Sequence, residues 1–452
     1  MKIFKIFFFA ATIYMLAACS KFLDAKPDRA MAIVNSLENM QAIMNNEGRM
    51  NSNYPEAGDI ASDYYYLRDA DFNNLSDVAR NNYLRQHVLP PSDFNWINNY
   101  SRIFDVNVVL KDIDNVDRGS VTEVDRARIK GEALFIRGFT FFALSQIYAP
   151  MYDEEQADAL WGIPLRLHPD INVPTTRASL RETYVQILDD LSGALKLLPL
   201  RPLHKLAPAK VTVHAALSRV YMAMADYGRA NAHADSCLAI YDKLMDYNDL
   251  DFHTVGATFE PLNDEVIYHC GLSTGTNVLR NTIANVDSVL FSLYEPQDLR
   301  RNAFYRTNST GLTGFYGDYG GSINTSSFCG LATDEVYLNK AEASVRLGKL
   351  DEGRKYLNSL LEHRFVKGYF HPITETNHAL LLERVLEERR KELAFRGGLR
   401  WSDLRRLVKE GRMESPLLRE INGALYTLDA GDPEWNFLLP YDVVHQTGMP
   451  QN

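Results

Sequence analysis

The chain has 452 residues, 46% of them hydrophobic and 23% charged, which allows a sizeable core and excludes a disordered or polytopic membrane protein. Its formal net charge of -10 excludes a nonspecific nucleic-acid binder, whose affinity needs a basic face. The four cysteines, Cys19, Cys237, Cys270 and Cys329, have no CxxC spacing, so spacing signals neither a zinc site nor a disulfide framework.

The N-terminus has Lys2 and Lys5, an apolar run from Ile6 to Ala17, and then Leu16-Ala17-Ala18-Cys19. The run is too short for a mature membrane-spanning helix, so residues 1–18 read as a secretory signal peptide. The Leu-Ala-Ala-Cys ending resembles a bacterial lipobox, which implies cleavage before Cys19 and acylation of that residue. Each buried methylene of an acyl chain adds about 0.8 kcal/mol, so several chains on one residue anchor stably. The mature chain, 19–452, is expected to be soluble in shape and tethered at one end.

Along the mature chain, Val34–Met44 reads as a short helix, and 45–91 is a polar stretch rich in Asn, Asp and Tyr with weak periodicity. Long ordered stretches of that kind are usually functional. Phe94, Ile97, Tyr100, Ile103, Phe104 and Val108 then mark one face of an amphipathic helix. Leu134, Phe135, Gly138, Phe141, Phe142, Ser145 and Tyr148 mark another, ending at Ala149-Pro150. A linker containing Gly162, Pro164, Pro169 and Pro174 leads to a stripe over Leu180–Leu198. Val211–Ala225 and Tyr227–Leu244 follow as two helices with almost no loop between them. The pattern lapses over 245–330, where Glu265–Cys270 is the best strand candidate. Helices return at Thr333–Leu347, Leu350–Leu361, Leu380–Arg396 and Leu399–Lys409. The expectation is an all-α fold with two large irregular insertions, about 45–91 and 245–330.

Two of these hairpins superpose at an offset of 123 residues. Their turns read Ala225-Asp226-Tyr227-Gly228-Arg229-Ala230 and Gly348-Lys349-Leu350-Asp351-Glu352-Gly353, with small residues Ser218 and Ala341 seven positions before each turn. The spacing resembles the tetratricopeptide repeat, in which each hairpin stacks on the next and offers a surface to a protein partner.

Several segments together resemble the SusD/RagB family of outer-membrane lipoproteins. They are Trp96-Ile97-Asn98-Asn99-Tyr100 with Asn107, Gly131-Glu132-Ala133 with Arg137 and Phe141-Phe142, Gly162-Ile163-Pro164-Leu165, and Tyr184 with Asp190-Leu191. The C-terminal block adds Glu388-Arg389, Glu392-Leu393, Phe395, Gly397, Arg400-Trp401 and Asp403-Leu404-Arg405-Arg406. Departures are Gly138 after Arg137, Ala149 where glycine is usual, and Arg396 where an acid is common. The resemblance implies one SusD-like domain over 19–452, held by its lipid at the outer membrane and facing the cell exterior. It also implies a SusC-like TonB-dependent transporter as partner and an oligosaccharide, or in some relatives a peptide, as ligand, without catalysis or cofactor.

A noncatalytic glycan site needs rings to stack on sugars and planar polar groups to read hydroxyls. Two clusters in the insertions supply them. Tyr64, Tyr65, Tyr66, Arg68 and Asn73 form the first, and Phe315, Tyr316 and Tyr319 the second. Asp63 reads as structural to its loop, because an acid is common there in the family. Asp69-Ala70-Asp71 begins like an EF-hand, but Asn74 and Arg80 stand where glycine and a bidentate glutamate are needed, so no metal is expected. Two other classes remain open: a surface glycoside hydrolase, which needs two carboxylates across a cleft, and a periplasm-facing repeat adaptor. The charge-rich stretch Leu386–Leu407 reads as a structural corner, with Trp401 in the core and arginines tying the last helix pair to earlier helices, Glu132–Arg137 included.

Overall fold

The computed structural model describes residues 36–88, 93–116, 119, 121–252, 256–413 and 415–452. Residues 1–18, expected to be a signal peptide, Cys19 and the start of the first expected helix lie outside the described residues. Helix α1 (Leu37–Met44) opens on Ser36, whose hydroxyl accepts the Asn39 N–H; α2 (Phe94–Asp112) opens on Asp93 in the same way. Thr122 caps α3 (Glu123–Tyr148), and a full Ser179/Glu182 capping box starts α4 (Leu180–Leu197). Gly138 is where α3 and α4 approach. A Cβ there would lie 3.0 Å from the Asp190 Cβ and 3.2 Å from the Ile187 carbonyl. Ala149 is extended, at φ -122°, so that position needs no glycine.

The repeat is visible in the fold. Displaced by 123 residues, α5 (Lys210–Ala223) falls on α7 (Thr333–Arg346), and α6 (Tyr227–Ile240) falls on α8 (Leu350–Glu362). Each hairpin turns through one left-handed residue at the equivalent position, Ala225 at φ 57° and Gly348 at φ 76°. Small residues face each other behind both turns. The Ser218 hydroxyl donates to the Ala230 carbonyl at 3.1 Å, and a Cβ on Gly353 would meet Val345 at 2.5 Å and the Ala341 carbonyl at 3.1 Å. Asn231 joins the hairpins by donating to Ser344 at 2.7 Å and accepting from Lys340 at 2.8 Å. The fold is helix-rich and tetratricopeptide-like, as expected. Among the described residues, no helix is long and apolar enough to cross a membrane.

Short strands interrupt the helices: β1 (Tyr65–Tyr66) in the first insertion, β2 (Trp161–Pro164) and β3 (Arg177–Ser179) in the linker before α4, β4 (Val266–Tyr268), β5 (Asn285–Val286), β6 (Tyr305–Thr307) and β7 (Thr313–Phe315) in the second insertion, and β8 (Leu331–Ala332) just after it. Strands β1-β5-β7-β6 form one antiparallel sheet, so the first insertion supplies the edge of a sheet built mostly by the second. The chain then runs through α9 (His378–Glu392) and α10 (Leu399–Lys409) into a hairpin of β9 (Leu417–Ile421) and β10 (Ala424–Leu428). The hairpin is not among the sequence expectations, although Asn422-Gly423, at φ 50° and 75°, is the usual signal for a two-residue hairpin turn. Helix α9 stops short of the expected Arg396, because Phe395 adopts φ 55° and turns its ring into the core.

Candidate ligand-binding site

The stretch Leu386–Leu407 forms a buried ionic clasp. Arg389 donates to Asp403 at 2.7 Å and to Asn339 at 2.6 Å, and Arg406 donates to Asp403 at 2.9 Å and to Glu342 at 2.7 Å. Arg400 grips Asp63 with two bonds of 2.6 and 2.7 Å. Arg396, which departs from the family pattern, pairs with Asp334 at 2.7 Å. Glu388 and Glu392 receive Arg300 at 2.6 and 3.0 Å, and Glu392 also receives Arg364 at 2.8 Å. Burial alone would raise the Asp403 carboxyl, but Arg389 and Arg406 hold it down at about 2. Oxygens of Glu265, Asp334 and Glu392 come within 4.8 Å of one another. Arg364, Arg396 and Arg300 bond to those acids, so their charges are met by guanidinium groups. The clasp does not reach Glu132–Arg137 as expected. Glu132 is taken by Arg128 at 2.6 Å, and Arg137 by Asp190 at 2.6 and 2.8 Å. Contact with α3 is made nearer its C-terminus, where the Ser402 hydroxyl donates to Gln146 at 3.0 Å.

The two aromatic clusters meet on one sheet. Tyr66 lies opposite Asn285, Asn285 opposite Gly314, and Gly314 opposite Arg306, so this row shares one face. Alternation sends Tyr65 and Phe315 to the other face, against the core. Tyr64 stacks on Phe395 at 5.4 Å, and Phe315 stacks on the same ring at 4.6 Å. The Tyr64 hydroxyl donates to the Leu393 carbonyl, and that of Tyr65 to the Ile60 carbonyl. Tyr319 is buried under the Arg396 guanidinium, 3.9 Å from its ring centre, with its hydroxyl donating to Glu265 at 2.6 Å. Tyr64, Tyr65, Phe315 and Tyr319 thus correct part of the site expectation. Their rings are consumed by the clasp and the core, which leaves no face for a sugar in this conformation.

The other four expected residues reach the surface. Tyr66 is 41% exposed at the sheet edge. Arg68 holds Asp71 through bonds of 2.7 and 3.2 Å, presenting a planar ion pair to solvent. Asn73 exchanges amide bonds of 3.0 and 3.2 Å with Asn422 on the β9–β10 turn. Tyr316 is half-buried, with the Arg306 guanidinium 5.3 Å from its ring centre. It directly follows β7, which lies two spacings of about 4.8 Å from the strand of Tyr66. Sequence reading did not single out Asn422, Arg306 or Trp161, whose indole is 48% exposed on β2. A tryptophan in a Gly/Pro linker was the available signal for the last. A separate hollow of about 730 Å³ with a mixed lining lies beside α8, bordered by Asp246, Lys355, Asn358, Glu362, His363 and Phe370.

Fold and site define a helical-repeat scaffold whose insertions are locked by an ionic clasp and present exposed rings beside planar polar groups. Residues 21–222 match the family described as "starch-binding associating with outer membrane", SusD-like, and residues 331–431 match the SusD family. The chain belongs to the SusD/RagB family, whose members are outer-membrane-associated binding proteins rather than enzymes. Among solved structures it resembles a putative sugar-binding protein from Bacteroides vulgatus at 21% identity, covering 92% of this chain and 98% of that one with a TM-score of 0.74. A SusD superfamily protein from Bacteroides thetaiotaomicron is similar at 22% identity, 92% and 99% coverage and TM-score 0.73. A SusD-like carbohydrate-binding protein from Bacteroides vulgatus follows at 19% identity, 91% and 97% coverage and TM-score 0.69. No curated protein matches.

Proposed function

We propose that residues 19–452 act as one lipid-anchored, noncatalytic binding domain on the outer face of the outer membrane. It captures oligosaccharides and passes them to a SusC-like TonB-dependent transporter. The observation that carries this reading is family membership combined with an exposed Tyr66 edge flanked by Arg68, Asn73 and Tyr316. Tyr66 supplies a stacking face, while the Arg68–Asp71 pair and the Asn73–Asn422 amides offer fixed donors and acceptors to hydroxyl groups. The leader-like stretch 1–18 directly before Cys19 supports the anchor. Binding of the lipid-free chain to panels of oligosaccharides and peptides tests the reading. Saturable glycan binding that weakens in Tyr66→Ala and Tyr316→Ala supports it; peptide-only binding replaces the ligand class, and unaltered glycan binding in both variants removes the site.

A further inference from the structure

Two cysteines that lie 59 positions apart in the sequence come together in the fold. Cys270 follows β4 and Cys329 precedes β8, and the two strands run antiparallel with Val266 opposite Ala332 and Tyr268 beside Leu331. The pairing continues beyond the strands. Gly271 bridges Phe328, the Cys329 N–H donates to the Cys270 carbonyl at 3.0 Å, and the Leu272 N–H donates to Ser327 at 2.7 Å. Cys270 and Cys329 therefore stand opposite each other on one ladder, with their sulfurs 3.5 Å apart. Both are buried, among Tyr54, Leu272 and Phe328. The third cysteine of the described residues, Cys237, is buried in α6 without such a neighbour.

We infer that Cys270 and Cys329 become a disulfide in the exported protein. Chains with a secretory leader pass into compartments where disulfides form and persist, and a pair already in register needs only a small approach of the sulfurs. The two thiols lose two protons and two electrons as the S–S bond forms. The acceptor is a protein or small-molecule disulfide, which is reduced to two thiols. Burial pushes the Cys329 thiol well up, so attack by its thiolate belongs to folding, before β4 and β8 close over it. The product ties β4 to the segment leading into β8, and so fixes the base from which β5, β6 and β7 project.

The oxidant, though not the geometry, rests on the export reading, and the experiment separates the two. Full-length chain is extracted from membranes of an exporting host, its free thiols are blocked under denaturing conditions, and it is digested without reductant. The expected result is a linked peptide pair containing Cys270 and Cys329, about 2 Da lighter than the sum of the reduced peptides, that separates on reduction while Cys237 carries the blocking group. Blocked Cys270 and Cys329 in chains with a cleaved leader overturn the disulfide. If the leader is uncleaved, the export reading fails, and the disulfide is decided by refolding the chain in an oxidised and reduced glutathione mixture. The linked pair forming there sustains it, and blocked Cys270 and Cys329 overturn it.

Discussion

Replacing Arg389 by alanine separates the structural corner from the ligand site. Its guanidinium is buried, donating to Asp403 at 2.7 Å and to Asn339 at 2.6 Å. Removing one partner of a buried pair typically costs about 3–5 kcal/mol, because the other charge stays buried and uncompensated. Here Asp403 keeps Arg406 at 2.9 Å, which places the loss near the lower end, about 3 kcal/mol. At about 2.1 cal/mol/K per residue, a chain of this length unfolds with an entropy of about 0.9 kcal/mol/K, so Tm falls by about 3 °C. Calorimetry of the lipid-free chain reads this directly, and Arg389→Lys recovers only part of it, since an ammonium cannot reproduce the two-pronged geometry. Ligand affinity, measured on the folded variant at 25 °C, stays within about twofold. An unchanged Tm with lost binding refutes the assignment of this stretch to structure.

Trp401→Ala empties a site packed against Trp435 at 4.9 Å and against Gly58, beside an existing cavity of about 40 Å³. It costs about 3–5 kcal/mol, read as a lower urea midpoint with ligand affinity kept. Burial without a cationic partner pushes the Glu56 and Asp59 carboxyls up to about 7. Their contribution to stability is full below the unfolded carboxylate range and is lost as pH rises through about 7. Asp403 acts in the opposite sense, its contribution falling away only as pH drops toward about 2. Tm is therefore higher at pH 5 than at pH 8, and Asp59→Asn reduces the difference; a Tm that rises over that interval contradicts the assignment. Tyr66→Ala weakens glycan binding at least several-fold with little change in Tm, whereas Tyr64→Ala, which loses its stack on Phe395, lowers Tm by several degrees.

The helical scaffold was legible because its signals are local. Apolar stripes, caps and small residues at the turns recur at fixed spacing, and the 123-residue offset brings Ala225 onto Gly348, the two residues that turn left-handed. The ionic character of the C-terminal block was legible for the same reason, but its partners were not. Arg396 finds Asp334 and Arg400 finds Asp63 across hundreds of intervening residues or scores of them, and no periodicity encodes such pairs. The tyrosine-rich runs showed where rings concentrate, not which way they face. Alternation along β1 turns Tyr65 inward and Tyr66 outward, and that register is set by Val286 and Asn285 in the other insertion. Cys270 and Cys329 carried no signal in their spacing for the same reason: a ladder between distant strands brings them together.

The most direct test of the central claim is titration calorimetry of the lipid-free chain with oligosaccharides, followed by mass analysis of the recovered sugar. Noncatalytic capture predicts saturable binding with every sugar recovered intact, and binding reduced in Tyr66→Ala. New reducing ends in the recovered sugar, or no binding to any oligosaccharide in the panel, contradict it.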